Sequence, residues 1–89
     1  MKITIWDKDP ERIHAIESNL SSALRTLGIH ASIAVASETP LLARMCMLHR
    51  MPVLEIDGAQ WHRKPEEIFS EQDCEALLRH IMKQTIKNE

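Results

Sequence analysis

The sequence predicts a single α/β domain over residues 1–89, with elements in the order β-α-β-α-β-β-α and a mixed four-stranded sheet carrying helices on both faces. Three observations predict it. The chain opens on a short β-rich run, Lys2 to Trp6, that stops at the charged turn Asp7-Lys8-Asp9. Two segments carry a capping residue directly before a proline, Asp9-Pro10 and Thr39-Pro40, which suits the first turn of a helix. Finally, Met51-Pro52 precedes the apolar run Val53-Leu54-Glu55-Ile56, which ends in Asp57-Gly58. A proline pushes its predecessor out of the helical region, and Asp-Gly between two strands favours a type I′ hairpin.

Each element follows from local chemistry. Glu11 sits where the positive end of the first helix dipole favours an acid. Ile13, Ile16, Leu20, Ala23, Leu24 and Leu27 recur at helical spacing, and Gly28 ends the helix. Ile29 to Ala36 reads as the second strand. Leu41, Leu42, Met45, Cys46 and Leu48, with His49, line one face of a second helix. The hairpin joins Val53–Ile56 to a strand near Ala59 to Arg63, and Lys64 to Phe69 is a connector. Ser70 and Asp73 form a capping pair with Asp in place of the usual Glu. Cys74, Leu77, Leu78 and Ile81 then make the stripe of a last helix that frays toward Asn88-Glu89. Two crossover helices imply that the first three strands run parallel, with the hairpin adding one antiparallel strand.

Bulk properties narrow the function. A chain of 89 residues allows one domain, and 44% hydrophobic with 27% charged residues is ordinary for a globular protein. The net charge of −2 offers no global attraction to nucleic acid or an anionic membrane. There is no run near the ~20 apolar residues of a membrane helix and no secretory leader, so a cytoplasmic location is expected. Cys46 and Cys74 form no CxxC, and both fall on apolar stripes, so two buried free thiols are expected.

Met1-Lys2-Ile3-Thr4-Ile5, Leu27-Gly28-Ile29, Pro52-Val53-Leu54-Glu55-Ile56-Asp57-Gly58, and Ser70 through Leu77-Leu78 together resemble the very small thioredoxin- and glutaredoxin-like proteins. The likeness runs over essentially the whole chain. It implies a thioredoxin-like fold, a cis bond before Pro52, and a Met51 backbone that pairs with an extended peptide. It also implies a Cys-x-x-Cys at the start of the first helix, but those positions hold Pro10 and Ile13. Asp7, Asp9 and Glu11 crowd the same helix end, a field hostile to a thiolate. The connector from Gly58 to Ser70 is somewhat long for the family.

The expected function is therefore a redox-inactive module, without cofactor or metal, that binds a protein or peptide through Met51, Pro52, Trp6, Asp7 and Pro10. The alternative is a thiol oxidoreductase or glutathione-linked protein using Cys46 or Cys74. Asp7, Asp9 and Asp57 also resemble the acidic Mg²⁺ pocket of receiver domains, though the chain is about 30 residues short of the ~120 such a fold takes when its further units have ordinary element lengths. Met45, Cys46, Met47, His49 and Met51 are soft ligands suited to Cu(I), but helical spacing puts them on different sides, so core packing is preferred. Arg44, Arg50, Arg63 and Lys64 read as solvated surface, and His14, His30, His62 and His80 show no ligand spacing. Trp61 is expected to pack at the sheet edge.

Overall fold

The computed structural model describes residues 1–87, the side chains of 84–87 excepted. The expected fraying toward Asn88-Glu89 lies outside the described residues. The elements are β1 (Lys2–Trp6), α1 (Pro10–Leu27), β2 (Ser32–Ala36), α2 (Thr39–Arg44), β3 (Val53–Ile56), β4 (Ala59–His62) and α3 (Glu71–Lys87). They form one four-stranded sheet in the order β2-β1-β3-β4.

β1 and β2 run parallel, but β3 runs antiparallel to β1, with Trp6 opposite Val53 and Ile3 opposite Ile56. This corrects the expectation of three parallel strands. The reason is length. The sixteen residues between β2 and β3 are enough in number for a parallel crossover, but such a return must also span the length of the strand, usually on a helix. α2 has six residues, and six residues of helix advance about 9 Å, against about 16 Å for a five-residue strand. The chain therefore enters β3 at the end of the sheet where β2 stops, and runs back down.

The two faces are unequal. Ile3, Ile5, Leu54 and Ile56 pack with Ile16, Leu20, Ala23 and Leu24 of α1 and with Cys74 and Leu78 of α3 in the larger core. Alternation along the strands turns Trp6 and Val53 to the other face, where they meet Leu42, Met47 and Met51 in a second cluster. α2 and the turns after it cover only that end of the second face. Trp61, on β4, is partly buried against the larger core and meets the His80 ring edge-on at 5.6 Å.

α1 begins at Asp9, whose carboxylate accepts from the Glu11 and Arg12 amides at 2.9 and 3.3 Å. It ends with Gly28 at φ 66°, where the Gly28 amide donates to Arg25 O and the Ile29 amide to Leu24 O. That is a Schellman ending, with Leu24 and Ile29 in the same core. α2 ends the same way. The Cys46 amide donates to Ala43 O at 3.1 Å and the Met47 amide to Leu42 O at 2.8 Å, with Leu42 and Met47 both fully buried. Cys46 occupies the left-handed position at φ 58°, where glycine is normal. Cys46→Gly is accordingly expected to stabilise the fold by about 0.5–1 kcal/mol, a relief of left-handed strain partly offset by unfolded-chain entropy. Denaturant midpoints of the two proteins measure it.

The Asp57-Gly58 turn has φ of 49° and 93°, as a type I′ hairpin requires. α3 starts with the reciprocal pair read from the sequence. The Ser70 amide donates to Asp73 Oδ2 at 2.9 Å, and the Asp73 amide donates to Ser70 Oγ at 3.1 Å. The bond from the Ser70 backbone, then the Ser70 hydroxyl and Arg63, hold the Asp73 carboxyl below its ordinary range. No helix among the described residues is long and apolar enough to cross a membrane.

Candidate functional site

The antiparallel β1–β3 pair sets the turn after β1 beside the corner that opens β3. Between them lies a cleft of about 420 Å³ lined by Lys8 and Arg12 on one wall, Leu48, His49 and Met51 on another, and Pro65 and Glu66 of the connector on the third. The Met51-Pro52 peptide is cis, the isomer the resemblance implies, and both residues are buried. The Met51 carbonyl accepts from the Glu66 amide at 2.9 Å, with Glu66 at φ 68°. Among the described residues the Met51 amide has no hydrogen-bond partner. The chain's own connector thus takes the acceptor half of this backbone, and the donor half is left.

Asp7 is fully buried beneath the cleft. Arg12 grips it through Nε to Oδ2 at 2.8 Å and Nη2 to Oδ1 at 2.9 Å. The Lys8 and Asp9 amides donate to the same carboxylate at 2.7 and 3.2 Å. The hydrogen bond to Asp7 raises the Arg12 pKa above its already high ordinary value despite partial burial, with the charges of Asp7, Asp9 and Glu66 acting in the same sense. Asp7 therefore anchors the β1–α1 turn, and its charge is internally matched.

The residues named from sequence separate into distinct places. Met51 lines the cleft and Asp7 lies under its wall through Arg12. Trp6 is buried in the second cluster, and its indole Nε1 has no hydrogen-bond partner among the described residues. Pro10 is exposed on the first turn of α1 and does not line the cleft. Arg12, Leu48, His49, Pro65 and Glu66 were not legible as site residues. One signal existed for Arg12, which continues the row Ile16, Leu20, Leu24 and so places a charge on an apolar stripe. Nothing in the sequence tied the connector to the corner.

The acids at the two ends of the sheet do not converge. Asp57 Oδ1 accepts from the Lys2 amide at 2.8 Å, at the opposite end of β1 from Asp7. The antiparallel direction of β3 carries it there. The soft-ligand segment is also dispersed, with Met47 and Met51 buried and Cys46 and His49 exposed. Arg63 pairs with Glu67 at 2.7 Å and with Asp73, while Arg50 Nε donates to Cys46 O at 3.2 Å. These guanidinium groups are bound within the fold.

Cys46 is exposed, which corrects the expectation that it is buried. The helix stops at Arg44, and the left-handed turn directs the thiol to solvent. Cys74 is fully buried, and desolvation, followed by the charges of Asp73 and Glu71, pushes its thiol up to about 12. A disulfide reagent is expected to titrate one thiol per chain quickly in the native state and two in denaturant. The linkage has a definite sign. The folded chain holds the Cys74 proton up to about 12, whereas the unfolded thiol releases it near its ordinary 9.0. This contribution is fully present below pH 9 and is lost as pH rises from there toward 12. Cys74→Ala should flatten that part of the stability profile.

Fold and cleft together define a small α/β domain with a mixed four-stranded sheet and a cleft where the turn after β1 meets the corner that opens β3. No protein-family model matches the chain, and searches of curated proteins and of solved structures give no match either.

Proposed function

We propose that this chain is a redox-inactive, thioredoxin-like peptide-binding module. Support for the fold comes from the strand order β2-β1-β3-β4, with β2 parallel to β1 and both β3 and β4 in an antiparallel run. Support for the inactivity comes from Pro10 and Ile13 at the start of α1, where the thioredoxin-like proteins that the sequence resembles carry their thiols. The observation that carries the binding function is the cleft itself. It sets Met51, whose N–H has no hydrogen-bond partner among the described residues, beside apolar Leu48 and polar Lys8 and His49. Backbone pairing gives affinity and flanking side chains give selectivity, with no bond-making group required. Because the Met51 carbonyl is already bonded to Glu66, the peptide is held by one main-chain hydrogen bond at this residue and by the cleft walls.

Selection of extended peptides from a displayed random library tests the reading. Binders should lose affinity for His49→Ala, whose thermal midpoint should stay close to that of the parent because His49 is exposed. Retained affinity would place the binding surface elsewhere. The exposure of Cys46 favours a second reading, thiol chemistry at that residue. Insulin reduction with dithiothreitol as electron source separates the two, since the module gives no rate above the reagent alone.

A further inference from the structure

We propose that the outer edge of β2 pairs with the β2 edge of a second copy of this chain, joining two sheets into one continuous eight-stranded sheet. β2 is an edge strand, with β1 on one side and no strand on the other among the described residues. The Ser32 amide donates to Met1 O and the Asp7 amide to Ala36 O, so Ser32, Ala34 and Ala36 direct their backbone groups at β1. By alternation, Ile33 and Val35 direct theirs outward, where no strand lies among the described residues.

Exposed edges in single-copy proteins are guarded by charge, proline, glycine bulges or cover. This one is unguarded. From Ile29 to Ser37 there is no Asp, Glu, Lys, Arg, Pro or Gly, and Val35 is 41% exposed. The opposite edge differs. β4 is flanked by Arg63 and Lys64 and carries Gln60 and His62 on its exposed side.

The segment is also complementary to itself. A two-fold axis through Ala34 sets Ile33 opposite the partner's Val35, and both are outward-directed residues, so each pair exchanges two hydrogen bonds. Alanine faces alanine at the axis, where antiparallel strands approach most closely. Two residues beyond each end of β2 the same register brings His30 toward the partner's Glu38, a ring donor toward a carboxylate. These matches identify the occupant as a second copy rather than an unrelated strand.

Sedimentation of the intact chain over a concentration series, with amide hydrogen exchange, tests this. The parent should be dimeric at high concentration, with the Ile33 and Val35 amides protected. Val35→Pro removes an outward amide that β1 does not use, and Val35→Lys adds an edge charge. Both should be folded monomers, while Gln60→Lys on the far edge should remain a dimer. A parent that is monomeric throughout, rapid exchange at Ile33 and Val35, a dimer that survives both Val35 substitutions, or an edge that pairs only with a foreign peptide would each overturn the proposal. The exchange result stands even if a variant fails to fold.

Discussion

Arg12→Ala is expected to destabilise the domain by about 3–5 kcal/mol at neutral pH, because it strands a buried carboxylate. Asp7 has no solvent exposure, and Arg12 supplies its two side-chain hydrogen bonds and its countercharge. After truncation, the Lys8 and Asp9 amides are what remains on it among the described residues. Against a total stability of about 5–15 kcal/mol for a folded protein, such a loss leaves the variant marginal. Arg12→Lys should recover only part of it, since an ammonium cannot reproduce the two-pronged grip. Asp7→Asn should be milder than Arg12→Ala, because its amide oxygen can still accept from the two backbone donors. Urea unfolding of the three variants gives the ranking. Equal midpoints for Arg12→Ala and the parent would show that the pair contributes nothing to the turn.

Trp6→Ala is expected to cost a comparable 3–5 kcal/mol, the usual range of about that size for a large aromatic truncated in a core. Trp6 is the largest member of the second cluster and, from the end of β1, shares that cluster with Leu42 of α2, which has few other anchors. Loss of the ring should therefore release α2 and the Met45–Arg50 turns first, and protease cleavage within residues 39–50 should increase before global unfolding. Trp6→Phe separates size from polarity. It keeps much of the apolar volume and deletes an indole N–H that has no partner among the described residues, so its cost should be well under half that of alanine.

The legible parts of the fold were those specified by local chemistry. Asp9-Pro10, Gly28, Asp57-Gly58 and Ser70 with Asp73 each bind or shape their own backbone within a few residues, and each stands where its side chain or φ angle implies. The illegible parts depend on distance in space. The length of α2 turned on Cys46 adopting a left-handed φ, which its side chain does not announce. The direction of β3 then followed from that short helix. At the cleft, Met51 was named through the family resemblance that Pro52 helps carry, and it does line the cleft. The connector at Glu66 was not legible, because its bond to Met51 spans fifteen residues and involves only backbone atoms. Arg12 was hidden for a related reason, since its partner lies before the helix rather than on it.

Titration of the isotope-labelled chain with a selected extended peptide, followed by its amide shifts, tests the central claim most directly. If the corner is the binding site, the Met51 amide should move downfield as it gains a hydrogen bond, together with shifts at Lys8, His49 and Glu66. Shifts confined to another surface, with the Met51 amide unmoved at saturation, would contradict the account.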